Sequence, residues 1–85
     1  MKYIFVDESW EDYLYWQKTN KKYAKKINDL LKAISRQPYT GIGKPEALKH
    51  NYKGFWSRRI DGEHRLIYKV KQDEILIAKC RFHYD

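Results

Sequence analysis

Eighty-five residues are enough for one domain, and a chain this short buries only about 60 to 65% of the surface it exposes when unfolded, so its stability is modest and a partner can add to it. Eighteen Lys and Arg against eleven Asp and Glu leave a net charge of +7, which directs the chain toward polyanions such as RNA, DNA or an anionic membrane. The single cysteine, Cys80, excludes an intramolecular disulfide, Asp7 and Glu8 come too early for a signal peptide, and no apolar run nears the roughly 20 residues of a membrane span. A cytoplasmic, reducing setting is expected.

Tyr3 to Val6, short, β-branched and aromatic, reads as a strand. Ser9 with Asp12 three places on approximates a capping box and predicts a helix from Trp10, with Trp10, Tyr13, Leu14 and Gln17 as its apolar stripe, widened by Trp16. Thr19-Asn20 provides a turn and a cap for a second helix, where Tyr23, Ile27, Leu30, Leu31 and Ile34 recur at helical spacing and Pro38 supplies the stop. A short join between helices implies an antiparallel pair. Gln37 to Glu46, punctuated by Pro38, Gly41, Gly43 and Pro45, reads as an ordered loop. Leu48–His50, Phe55–Ile60, His64–Val70 and Glu74–Phe82 then suggest an antiparallel meander.

Positive charge concentrates in the middle of the chain. The first helix is acidic through Asp7, Glu8, Glu11 and Asp12, whereas the second carries Lys21, Lys22, Lys25, Lys26 and Lys32 away from its apolar stripe. In the last strand Leu76, Ala78, Cys80 and Phe82 alternate with Ile75, Ile77, Lys79, Arg81 and His83. The strand before it has Leu66, Tyr68 and Val70 at even positions, so even residues are expected to face the core. A three-residue hairpin loop, Asp61 to Glu63, preserves that parity and pairs Arg59 with Arg65. Arg59, Arg65 and His83 then share one uncovered face. Like charges directly opposite each other cost stability, so a face that keeps them suits an anionic ligand.

RNA can be cut without a metal when one group removes the 2′-hydroxyl proton, a second protonates the departing 5′-oxygen, and cations stabilise the charged phosphorane. His83 supplies an imidazole, Glu46 a carboxylate in the glycine-rich loop, and Arg59, Arg65 and Lys49 the cations. Each also has a plainer reading: a solvated loop glutamate, a tail histidine, a wet sheet face. His50 and His64 read as surface or turn residues, and three dispersed histidines with one core cysteine make no metal site. Most of the aromatics read as core, leaving Tyr84 placed to stack on a base.

The runs Gly43-Lys44-Pro45-Glu46-Ala47-Leu48-Lys49-His50, Gly54-Phe55-Trp56-Ser57-Arg58-Arg59-Ile60, Glu63-His64-Arg65-Leu66-Ile67-Tyr68 and Cys80-Arg81-Phe82-His83-Tyr84 resemble the YoeB family of the RelE toxin superfamily, as does Glu8 to Trp16, so the likeness covers nearly the whole chain. The resemblance implies the toxin of a type II toxin-antitoxin system, a ribosome-dependent endoribonuclease that cuts messenger RNA in the ribosomal A site without metal or other cofactor. It makes Glu46 the general base, His83 the general acid and Arg65 the phosphorane stabiliser, with Lys44, Lys49 and Arg59 on phosphates and Tyr84 orienting the nucleotide. It further implies a YefM-type antitoxin, operator DNA bound only by the toxin-antitoxin complex, and a family in which homodimers occur. Ala47, where a second proline is common, and the additional Asp85 depart from the pattern.

The expected fold is α+β and RelE-like: one domain over residues 1–85, with two N-terminal helices on one face of a four- to five-stranded, mainly antiparallel sheet and the chemistry on the other face. The rival is a catalytically silent RNA- or ribosome-binding inhibitor of translation.

Overall fold

The computed structural model describes residues 1–83. Strand β1 (Lys2–Phe5) leads into helices α1 (Asp7–Thr19) and α2 (Lys21–Arg36). After the glycine-rich loop follow β2 (Glu46–Ala47), a 3₁₀ turn (His50–Tyr52), β3 (Trp56–Arg59), β4 (Arg65–Lys71) and β5 (Glu74–Lys79). The five strands form one sheet in the order β1-β5-β4-β3-β2, antiparallel except for the parallel pair β1 and β5. The fold is α+β, as expected, with the parallel edge contributed by the N-terminal strand, which precedes the two helices.

The second helix follows its sequence pattern closely. Asn20 accepts the Tyr23 amide as N-cap, and Ala24, Ile27, Leu30, Leu31 and Ile34 are buried. The first helix does not. It opens three residues earlier than the Ser9 cap requires, behind Val6, with Asp7 and Glu8 in a first turn whose dipole favours them. Ser9 instead lies inside, its hydroxyl donating to the carbonyls of Val6 and Ile77 (3.0 and 2.6 Å). The buried face therefore runs through Ser9, Asp12, Tyr13 and Trp16, while Trp10 and Leu14 are exposed. Asp12 accepts the Cys80 amide and Trp16 Nε1 donates to the Cys80 carbonyl (2.8 Å), so α1 is stitched to the end of β5 by polar bonds.

Parity holds in β4, where Leu66 and Tyr68 enter the core, but fails in the lower half of β5. There Ile75 and Ile77, not Leu76, are fully buried in the helix-covered core. The cause is a register shift. Ile67 pairs with Lys79 but Tyr68 with Ile77, so Ala78 is the extra residue of a bulge, which exchanges the faces of everything before it. Beyond the bulge Cys80 is again buried, with its thiol pushed up in pKa by burial and by Asp12. Phe82, expected in the core, is 53% exposed because its backbone turns into the left-handed region at φ 66°. Between Ala47 and β3 the expected strand over Leu48–His50 is replaced by the short β2 and the 3₁₀ turn, with Leu48 buried. Ile67, buried on the face opposite the helices, explains why that face is not wholly polar.

Candidate functional site

The loop between α2 and β2 is held by an arginine that faces the helices. Arg58 is fully buried, and its guanidinium donates to the carbonyls of Gln37 (2.7 Å), Thr40 (2.9 Å) and Ile42 (3.1 Å), while Nε donates to the Tyr68 hydroxyl (3.1 Å). Tyr68 in turn donates to the Pro38 carbonyl (2.7 Å), with its own pKa pushed up by burial. Backbone carbonyls thus replace water around a buried cation, and the loop cannot leave without stranding that charge. Gly43 brings the loop against β3, accepting the Arg59 amide at 2.7 Å. Its φ is +84°, and a Cβ there would meet Leu30 at 2.8 Å and Arg58 Cβ at 3.1 Å, so glycine is required.

Lys44, itself at φ 52°, Pro45 and Glu46 follow directly and form one wall of a groove of about 590 Å³ on the face away from the helices. Ser57, Arg59, Arg65 and His83 complete the lining. The register explains the grouping: Glu46 lies opposite Ser57, and Arg59 opposite Arg65. The hairpin is the three-residue form expected, closed by the Ile60 amide on the His64 carbonyl (2.9 Å). Glu46, Arg59 and His83 are exposed. Arg65 is buried with one Nη donating to the carbonyls of Asp61 (2.9 Å) and His64 (3.2 Å), which fixes its guanidinium at the groove floor. Among the described residues none of Lys44, Arg59 and Arg65 forms an ion pair. Of the other residues singled out in the sequence, Lys49 is exposed before the 3₁₀ turn and does not line the groove, and Tyr84 lies outside the described residues.

Asp61 organises the hairpin. Its carboxylate accepts the amides of Glu63 (2.8 Å) and His64 (2.6 Å) and the Tyr23 hydroxyl of α2. Burial alone would raise its pKa, but these hydrogen bonds outweigh it and hold the carboxyl below the ordinary range, while the bond to Asp61 raises the pKa of the Tyr23 hydroxyl. His64, expected at the surface, is buried: its ring meets Trp16 edge-on at 4.8 Å and Nδ1 accepts the Phe82 amide at 2.8 Å. Arg81 stacks over Tyr15 at 3.6 Å and over Phe82 at 4.5 Å. Sequence reasoning missed Ser57 and Pro45 in the groove and the clamps made by Arg58 and His64. The alternation of β3 was the available signal for Arg58, since adjacent strand residues must point to opposite faces.

No helix of the described residues is long and apolar enough to cross a membrane. A family model described as "YoeB-like toxin of bacterial type II toxin-antitoxin system" matches residues 5–84. The Toxin YoeB of Escherichia coli (strain K12) is 62% identical over 84 residues, covering 99% of this chain and 100% of that protein. A toxin from a Staphylococcus aureus YoeB-YefM complex superposes with a TM-score of 0.92 at 52% identity, and one from a YoeB dimer of the same organism with 0.94 at 50%, each alignment covering 99% of this chain and 98% of the other. With identity this high over almost its full length, and with the family model matching residues 5–84, the chain belongs to the YoeB-like toxins of bacterial type II toxin-antitoxin systems.

Proposed function

We propose that this toxin is a metal-independent endoribonuclease that cleaves messenger RNA in the A site of the translating ribosome. The observation that carries the reading is that Glu46, at the start of β2 where the pinned loop ends, and His83, beyond β5, line the same groove as Arg65. Glu46 takes the proton of an RNA 2′-hydroxyl, whose oxygen attacks the adjacent phosphorus. His83 gives a proton to the departing 5′-oxygen, leaving a 2′,3′-cyclic phosphate and a 5′-hydroxyl. Arg65, immobilised by two carbonyls, needs no reorganisation to meet the charge that builds on the phosphorane. Arg59 and Lys44 hold flanking phosphates, Lys49 reaches the chain further out, and Tyr84 orients the nucleotide.

A YefM-type antitoxin partner follows from the S. aureus complex, and its acidic segment would cover Arg59, Arg65 and Lys49. Operator DNA is bound, and the operon repressed, only by that toxin-antitoxin complex. The S. aureus dimer supports self-association, and a cytoplasmic location fits the ribosome as target.

The test is single-turnover cleavage on programmed ribosomes, with binding measured separately. Glu46→Gln and His83→Gln should each lower the rate by about 10² to 10⁴ at unchanged affinity. Wild-type rates in both would end the acid-base assignment, and loss of cleavage on chelation with ribosomes intact would end the metal-free one. Intact messages under stalled translation would favour inhibition by occupancy instead.

A further inference from the structure

His83 reaches the groove from a chain segment that is no longer a strand. The residue before it, Phe82, has φ 66°, a conformation costly for a bulky side chain, and its ring is left mostly in solvent. Burial of that ring therefore does not hold the turn. Two hydrogen bonds do, and both come from the first residues after the hairpin. The Arg65 amide donates to the Phe82 carbonyl at 3.0 Å, and the Phe82 amide donates to His64 Nδ1 at 2.8 Å. Residue 82 is thus gripped on both of its backbone polar groups by Arg65, whose guanidinium lies on the groove floor, and by its neighbour His64.

His64 is itself held on several sides. Its ring lies edge-on to Trp16 (4.8 Å) and Tyr23 (6.0 Å), its amide donates to Asp61, and its Nε2 stands 3.6 Å from Glu63 Oε1. A ring that accepts at Nδ1 carries its proton at Nε2 when neutral. A buried imidazole is unnecessary for filling this space, which any ring of the size would fill. The acceptor is the chemically distinctive part.

We propose that His64 is a positioning residue for the cleavage reaction: its Nδ1 holds the Phe82 amide so that the left-handed turn at Phe82 delivers the His83 imidazole beside Arg65. The inference rests on the reading of His83 as proton donor. It adds that the donor's place is set by a second histidine which touches neither substrate nor the reacting atoms.

The experiment compares His64→Phe, which keeps a packed ring but has no acceptor, with His64→Asn, whose Oδ1 falls near the site of Nδ1. Single-turnover cleavage at saturating ribosomes should fall about 10- to 100-fold in His64→Phe with ribosome affinity unchanged, as expected for a displaced catalytic group. His64→Asn should regain most of the rate. The double variant His64→Phe/His83→Gln should be no slower than His83→Gln alone, because both changes remove the same proton transfer. In the unsubstituted protein, ring ¹⁵N spectra should show His64 protonated at Nε2 and its Nδ1 coupled to the Phe82 amide, a readout that stands even where a variant fails to fold. A proton on Nδ1 overturns the proposal. So does a folded His64→Phe that cleaves at the wild-type rate while His83→Gln is slow, an outcome that leaves the function itself standing. Equal slowing by Phe and Asn would assign the effect to packing and also overturn it. If His83→Gln cleaves normally, the proton-donor reading fails first, and this inference with it.

Discussion

Arg58 and Arg59 are adjacent in β3 and lead opposite lives. Arg58 points under the helices, where three loop carbonyls and the Tyr68 hydroxyl surround it, and it is fully buried. Arg59 points to the groove, is exposed, and among the described residues has no ion pair. The same guanidinium is therefore a structural bolt on one face and an available cation on the other. What separates them is whether protein acceptors already occupy the donors, since a guanidinium with its hydrogen bonds filled has little left for a phosphate. The bolt also serves the groove, because the segment it fixes ends in Lys44, Pro45 and Glu46.

Breaking the bolt should have the largest effect on stability. Arg58→Leu leaves the carbonyls of Gln37, Thr40 and Ile42 without their donor, and each such loss costs about 1 to 3 kcal/mol unless water re-enters. A total near 3 kcal/mol is expected, or roughly 12 to 24 °C in Tm for a domain of this size. Calorimetry gives the first number, and hydrogen exchange at residues 37–46 should show the loop released. An unchanged Tm with a protected loop would remove the contrast between the two arginines.

Gly43→Ala tests the same loop from the backbone side. The left-handed φ costs about 1 to 2 kcal/mol for alanine, and the 2.8 Å approach to Leu30 adds to it, so a loss of about 2 kcal/mol is expected in chemical denaturation. Gly62→Ala is the matched control, since a Cβ there meets nothing within 4 Å. Equal effects at the two glycines would mean that the loop is not closely packed against β3.

The parts of this architecture legible in the sequence are those with regular period and local cause. Helix α2 shows its face at Ile27, Leu30, Leu31 and Ile34 because packing there follows 3.6 residues per turn, and the Asp61–Glu63 hairpin fixes Arg59 opposite Arg65 through loop length alone. The bulge at Ala78 was invisible, since an extra residue in a ladder alters pairing and leaves no compositional trace. It misled the assignment of Leu76 and Ile77, yet Cys80 and the groove side of His83 came out as expected because they lie beyond it. Helix α1 was misphased for a different reason. Ser9 has the chemistry of a cap, but two acidic residues before it extend the first turn, and its hydroxyl found an acceptor on β5. His64 could not be placed, because its value as an acceptor depends on Phe82, 18 residues away.

Two buried-side carboxyls offer a smaller test with opposite signs. Asp61 is held below the ordinary value of 3.8 by its hydrogen bonds, so the folded state releases the proton more readily than the unfolded chain. Its stabilisation is complete above that ordinary value and is lost as pH falls through the folded pKa. Asp12 is raised by burial, with the Cys80 amide only partly offsetting it, so it carries a penalty that is full above its folded pKa and fades as pH falls toward 3.8. Asp61→Asn should therefore be less stable than the parent at neutral pH, with the gap closing in acid. Asp12→Asn, which keeps an acceptor for Cys80, should be slightly more stable at neutral pH, with that gain closing in acid. Denaturation midpoints from pH 7 down to pH 3 check both, and parallel curves for the two variants would contradict the assigned environments.

Arg59→Gln returns to the opening pair and should have the smallest effect on the fold. An exposed strand residue with no ion pair among the described residues is expected to change stability by no more than about 0.5 kcal/mol. Its effect belongs to binding. A cation that meets one phosphate releases about one counterion, so removing it should flatten the slope of log affinity against log salt by about 0.7 to 0.9 for single-stranded RNA or the programmed ribosome. Because the lost term is a phosphate contact, the weakening should be similar for messages of different sequence. Lys49→Gln provides the comparison across the surface: it is exposed but outside the groove lining, so a flattening as large as that from Arg59→Gln would place the RNA path beyond the groove. If Arg59→Gln changes neither affinity nor slope, an exposed guanidinium on the open face is merely solvated, and the distinction between Arg58 and Arg59 concerns the fold alone.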